Sequence, residues 1–198
     1  MSDEDLPVVH QGKTFTAVNF AGKQLLNREF VKCRFDSCDF SKSDLSGNTF
    51  MDCIFSQCNL SLAVLKDTGV RNAQFLGCKM LGLDFSACNR FLYSFRFENC
   101  TLDYSVFFGT KLKKTVFENC SLKEVDFNET DLSLSSFKDC ELAGARFGRT
   151  TLDKADFRSA RNFLIDPENN SVKRTRFSAM NLAGLLTKYN LDLEFGDE

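Results

Sequence analysis

The sequence predicts a solenoid, a rod made by stacking one short unit many times with a cap at each end. Three observations carry this. Apolar residues recur at every fifth position, small residues recur two places before each of them, and both prolines (Pro7 and Pro167) lie outside the run. The first register reads Phe15, Phe20, Leu25, Phe30, Phe35, Phe40, Leu45, Phe50, Phe55, Leu60, Leu65, Val70, Phe75, Met80, Phe85. The second starts at Phe97 and runs to Phe157 with Phe and Leu in strict alternation. Period five fits neither a helix, which repeats at about 3.6, nor a strand, which repeats at 2. It requires a backbone that turns once per unit and aims the same residue inward each time.

Each element can be justified in chain order. Residues 1–12 form an acidic tail and a first cap, and His10, the single histidine of the chain, is expected there as a solvated residue. The acidic start is neither a signal nor a transit peptide. Residues 13–162 form the repeat. The slot two before each centre holds small residues, such as Cys38, Ser43, Ala63, Thr130 and Ala155. The residue before the centre is often Asp or Asn, and Gly often stands two after it. Proline is excluded from the run because it removes a ladder donor.

The units CDFSK, SDLSG, CNLSL, VDFNE, TDLSL and ADFRS resemble those of the pentapeptide-repeat family. That resemblance implies an all-β solenoid, a right-handed quadrilateral β-helix in which each unit forms one side and four units form a coil of twenty residues. Coils then stack at about 4.8 Å, and residues 13–160 make a rod of roughly 35 Å.

All nine cysteines fall in the small slot, and many are twenty residues apart. Stacked thiols raise the question of disulfides or a metal ladder. Ala, Ser and Thr share the same slot, however, and buried Cys behaves as a small hydrophobe. The expectation is nine free thiols in the core, with no metal and no cofactor.

Residues 86–96 contain two more residues than the period allows. A bulge around Asn89, Arg90 and Phe91, with Tyr93 beside it, is a candidate contact site, since bulges often mark functional places; the plainer reading is an insertion that bends the rod. Residues 163–198 hold a turn at Asp166-Pro167-Glu168-Asn169-Asn170, a return to register at Phe177, and an N-cap at Ser178. Leu182, Leu185, Leu186 and Tyr189 then come at helical spacing, predicting a capping helix of about three turns that also serves as a homodimer contact. Residues 190–195 alternate like a last strand.

The ending NFLIDPENNSVKRTRFSAMNLAGLLTKYNLDLEF, together with the mid-chain segment CNRFLYSFRFENCTL, is similar to the Qnr-like, quinolone-resistance branch of that family. The resemblance implies C-terminally joined dimers whose rods imitate DNA, bind DNA gyrase or topoisomerase IV, and protect it from fluoroquinolones or toxins.

Charge bears on that implication. The net charge of −2 gives no case for direct binding to nucleic acid or an anionic membrane. No apolar run approaches the ~18 residues of a membrane span, and a cytoplasmic location is expected. Over residues 95–158, two adjacent sides hold Glu98, Asp103, Glu118, Glu124, Asp139, Glu141 and Asp156 against four cations, a sum of −3. This is the candidate partner wall. The other two sides sum to +2. Duplex DNA carries one charge per about 1.7 Å, a far denser strip. No catalytic residues are assigned, because the carboxylates fall on a convex wall and no nucleophile or metal-ligand spacing occurs. The alternative to a topoisomerase-binding protein is a generic protein–protein interaction scaffold.

Overall fold

The computed structural model describes residues 7–89 and 93–192, with the backbone alone at 93 and 94. The chain winds into a four-sided parallel β-solenoid. On the first side Phe15 pairs with Phe35, Phe35 with Phe55 and Phe55 with Phe75, then Phe75 with Phe97, Phe97 with Phe117 and Phe117 with Phe137. The strands are β2 (Thr14–Thr16), β4 (Arg34–Asp36), β6 (Ile54–Ser56), the end of β7 (Gly69–Leu76), β8 (Tyr93–Glu98), β9 (Val116–Glu118) and β10 (Ser136–Lys138). The fourth side stacks β1 (Val8–Gln11), β3 (Arg28–Val31) and β5 (Thr49–Met51) under the start of β7. Single bridges twenty residues apart join the rungs of the second and third sides, as at Asp39–Asn59 and Asp126–Arg146.

The bore explains the Phe excess. Rings one coil apart stack, Phe35 on Phe55 at 4.7 Å and Phe137 on Phe157 at 4.4 Å. Rings on different sides of the bore meet edge to face, as Phe117 and Phe127 do at 6.0 Å and 76°. Both are favoured aromatic geometries, so a square bore suits Phe on alternate sides. The corner two residues after most centres has positive φ, 55° at Lys42, 59° at Leu62 and 72° at Gly144. Glycine is favoured there because it has no Cβ to strain.

All nine cysteines are free and buried, as expected. The slot has a polar duty as well as a size limit. Cys58 Sγ donates to Phe35 O at 3.3 Å, Thr130 Oγ1 to Phe107 O at 2.7 Å and Ser135 Oγ to Leu112 O at 2.7 Å. Each acceptor is the centre of the preceding unit, one coil back. Asn48 and Asn170 go further. Asn170 Nδ2 donates to Phe147 O at 3.0 Å while its Oδ1 accepts from Thr150 N–H at 2.9 Å. Asn48 makes the same pair of contacts with Leu25 O and Arg28 N–H.

The extra residues are absorbed where β7 pairs with β8. Val70 faces Tyr93, but Ala73 faces Phe95, so the register shifts between them. Arg90 and Phe91 lie outside the described residues. Because the shift completes one coil, Cys38, Cys58 and Cys78 continue directly into Cys100, Cys120 and Cys140 as one column, with Lys79 paired to Thr101 beside the junction. Phe95 fills a small slot there, buried and edge-on to Phe85 at 5.4 Å. In the column of Phe30 and Phe50 the next centre is Val70, and an apolar cavity of about 20 Å3 remains beside it.

Two expectations at the ends are corrected. His10 is not a solvated residue. It occupies a centre position, half-buried, and stacks on Phe30 at 4.9 Å, because it lies twenty residues before that ring. Residues 179–189 do not form one amphipathic helix of three turns. They break into 3-10 turns at Ala179–Asn181 and Thr187–Tyr189 around the short helix α1 (Ala183–Leu186). Gly184 sits against Phe163 O, where a Cβ would collide, and its own carbonyl accepts from Ile165 N–H at 3.0 Å. The cap is thus fitted to the bore's end. Ser178 is the N-cap in a full capping box with Asn181. Asp166 begins the expected turn by accepting from Glu168 N–H at 2.9 Å, and Phe177 rejoins the stack on Phe157 at 5.6 Å. Residues 190–192 are not a strand, and 193–195 lie outside the described residues.

Candidate functional surfaces

Coil geometry turns separations of twenty into direct neighbours, and this decides the electrostatics of the acidic wall. Glu118 lies between Arg96 at 3.1 Å and Lys138 at 2.6 Å. The Lys138 hydrogen bond, then its charge and that of Arg96, hold the Glu118 carboxyl below its ordinary range. Asp156 is forked by Arg158 at 2.8 Å and approached by Arg176 at 3.3 Å, and is likewise held low, chiefly by the Arg158 hydrogen bond. Glu98 shares Arg96 at 3.6 Å, and Glu141 meets Arg161 at 3.9 Å and Asn162 Nδ2 at 2.9 Å. Asp103 accepts from Ser121 Oγ at 2.6 Å and Lys123 N–H at 3.0 Å. Among the described residues Asp103, Glu124 and Asp139 make no ion pair. The seven acids do lie on two adjacent sides, but four of them are neutralised locally.

Among the described residues no arrangement for acid–base chemistry is found. Every carboxyl with a displaced pKa (Asp44, Glu118, Asp153, Asp156, Asp166, Glu168) is displaced downward by a hydrogen-bond donor. A general acid needs the opposite shift. Burial pushes the Cys53 thiol up to about 11, away from reactive thiolate. Among the described residues no cluster of His, Cys, Asp and Glu could hold a metal. Among the described residues the larger hollows are open grooves: two of about 260 and 400 Å3 beside the C-terminal cap, lined by Leu164, Gly184 and Thr187, and one of about 400 Å3 in the N-terminal half, lined by Leu26, Gly47 and Lys66.

At the bulge, Asn89 N–H donates to Thr68 O at 2.9 Å, so its backbone belongs to the ladder. At the cap, Leu182 and Tyr189 are exposed while Leu185 packs on the core, and Met180 is 80% exposed. The four predicted cap residues therefore divide between plug and surface.

Two surfaces escape a reading based on acids alone. Leu62, Val64, Leu81, Tyr104 and Phe108 are exposed around the corner of the second and third sides. Tyr104 is next to Asp103, and Gly82 leaves room for the Leu62 side chain. Their signal is apolar residues at outward positions, one or two after a centre or, for Val64, one before it. The second surface is cationic. Arg146 and Arg149 are neutralised one coil below by Asp126 and Glu129. In the C-terminal half, the cations without an ion pair among the described residues thereby lie on the fourth side, apart from Lys123 on the second.

The profile described as the pentapeptide repeat region matches residues 28–108 and 110–187. The chain belongs to the pentapeptide-repeat family. Among solved structures it is similar to HetL, a pentapeptide repeat protein involved in heterocyst differentiation regulation in the cyanobacterium Nostoc sp. strain PCC 7120. That match has 17% identity, 86% coverage of each chain and a TM-score of 0.71. It is also similar to trypsin-treated QnrB1, a plasmid-mediated fluoroquinolone resistance protein, with 18% identity, 96% of this chain and 99% of that chain covered, and a TM-score of 0.56. No curated protein matches. At these identities the likeness is one of fold. Among the described residues of this pentapeptide-repeat chain no helix is long and apolar enough to cross a membrane.

Proposed function

We propose that this protein is a non-enzymatic, cytoplasmic binding rod whose partner is a type II topoisomerase such as DNA gyrase, engaged through the first and second sides. The observation that carries the proposal is the composition of that wall. Of the wall's seven acids, Asp103, Glu124 and Asp139 make no ion pair among the described residues; the 66% exposed Tyr104 stands beside Asp103 and one rung from Glu124 on the second side, with Asp139 at the corner where that side begins. Tyr is a favoured interface anchor, and unpaired carboxylates at the rim steer a basic partner surface. Mimicry of DNA rests on these groups and not on the whole acidic count. Protection against fluoroquinolones or toxins results if the occupied site is the one they use.

The test is a gyrase supercoiling assay with and without ciprofloxacin. Inhibition or protection at micromolar protein, weakened at least tenfold by Tyr104→Ala with Glu124→Lys, is expected. No effect of the unsubstituted protein on supercoiling or drug action removes the topoisomerase reading. The exposed Met180 and Leu182 at the cap support a homodimer through the C-terminal end. Light scattering should give twice the 22.4 kDa chain mass, falling to one chain in Met180→Asp with Leu182→Asp.

A further inference from the structure

The most asymmetric surface of the molecule is the fourth side of its C-terminal half. Its rungs are joined by Lys111–Asp131, Asp131–Thr151 and Thr151–Ser171 bridges. Outward from them stand Lys111, Lys113, Lys114, Lys154, Lys173 and Arg174, and among the described residues none of these makes an ion pair. Lys114, Leu134, Lys154 and Arg174 share the left-handed corner position and so form one edge. The two acids present are turned inward to hydrogen bonds. Asp131 accepts from Ser133 N–H at 2.9 Å and Asp153 from Ser171 Oγ at 2.6 Å. Six cations against two acids leave a net +4 on a protein whose total is −2. Leu134, 41% exposed, lies among them.

The chain carries a matching segment next to this strip. Tyr189 OH donates to Glu168 at 2.7 Å, and Lys188 pairs with Asp166 at 2.7 Å. These contacts pin the cap beside the loop that leads into Ser171, the last rung of the strip. Three residues later comes Asp192, exposed, and then Leu-Glu-Phe-Gly-Asp-Glu. The segment holds four carboxylates, Asp192, Glu194, Asp197 and Glu198, with Leu193 and Phe195 between them. Six extended residues reach about 20 Å. The strip from the Lys173 rung to the Lys113 rung covers about 14 Å.

We propose that segment 192–198 docks along this basic strip, its four carboxylates against the four uncompensated charges and an apolar side chain over Leu134. This is independent of the topoisomerase reading, which uses the first and second sides. Docking neutralises the strip and keeps it from other polyanions.

Zero-length coupling of carboxylates to amines with a water-soluble carbodiimide, read by mass spectrometry on the full chain, tests this. Cross-links from Glu194, Asp197 or Glu198 to Lys154, Lys173 or Lys114 are expected. They should be lost in 0.5 M salt or in Lys154→Glu with Arg174→Glu. In a full-length variant with Asp192→Asn, Glu194→Gln, Asp197→Asn and Glu198→Gln, acylation of Lys154 and Lys173 should rise at least threefold. Circular dichroism checks that each variant is folded. Unchanged acylation, or tail cross-links confined to cations of other sides such as Lys138, overturns the proposal. Equal binding of a 20-base-pair duplex by the natural and neutral-tail proteins, abolished by Lys154→Glu with Arg174→Glu, also overturns it, by assigning the strip to nucleic acid.

Discussion

A thiol, hydroxyl or amide in the small slot is narrow enough for the bore and donates to a carbonyl one coil back, often one that already accepts a turn N–H, as Phe127 O does from Thr130 at 3.2 Å. A buried acceptor left unpaired costs about 1–3 kcal/mol. Thr150→Val keeps the shape and removes the bond to Phe127 O, which retains its bond from Thr130 N–H, so it should cost only the net worth of one hydrogen bond, about 0.5–1.5 kcal/mol in denaturant unfolding. Asn48→Ala strands both Leu25 O and Arg28 N–H and should cost more, about 2–4 kcal/mol, as two lost partners. The size rule is legible in the sequence, since Cys, Ser, Thr and Ala alternate in one position. The donor rule is not, because the acceptor lies 23 residues back and becomes a neighbour through the coil. The burial of His10 is hidden for the same reason, although its offset of twenty from Phe30 stands in the sequence. Burial, then Lys13 and Arg28, lowers its pKa below 6.5 in the folded state. A lowered histidine contributes stability above its unfolded pKa and loses it as pH falls through the folded value. The melting temperature should thus fall from pH 7 to pH 5, and His10→Phe should flatten that dependence.

The elements that depart from the repeat are the bulged coil and the cap, and each departs for a packing reason. Beside the bulge, Val70 fills less of the bore than the Phe rings in the turns below it. Val70→Ile should stabilise the protein by about 0.5–1 kcal/mol if the cavity accepts one methylene. At the other end Gly184 is held against Phe163 O, so Gly184→Ala forces the cap outward. Overpacking of this kind costs about 1–3 kcal/mol, seen as a lower unfolding midpoint together with faster hydrogen exchange at Ile165. The inserted pair of residues and the Ser178 cap are both visible in the sequence. The place of Phe95 in a small slot is visible too, two before Phe97; its pairing opposite Ala73 is not, because it needs the register shift. The ion pairs of the acidic wall are open to the sequence. Glu118–Lys138 and Asp156–Arg176 are each twenty apart, the same spacing that the cysteines display, as is Asp126–Arg146 on the third side.

At the scale of the whole rod, each coil touches its neighbours alone, so stability should vary along the axis and not be uniform. The column from Cys38 to Cys140 samples most of that axis with one chemistry, and Cys33 lies one coil from the first described coil. A thiol reagent reaches a buried cysteine when the surrounding coil opens. Under native conditions its rate therefore reports the local opening free energy. Cys33 is covered on one side by the coil of His10 and Phe15, and its thiol is held by His10 O at 3.3 Å. Cys100 and Cys120 are covered by full coils on both sides, and among the described residues their neighbouring rings Phe97 and Phe117 are fully enclosed. Labelling of Cys33 should run at least tenfold faster than that of Cys100 and Cys120, a difference of about 1.4 kcal/mol in opening. His10→Ala should widen the gap by loosening the first coil. Equal rates at all nine thiols would mean that the rod opens as one unit, and rapid labelling of the central column would contradict the closed bore on which the fold depends.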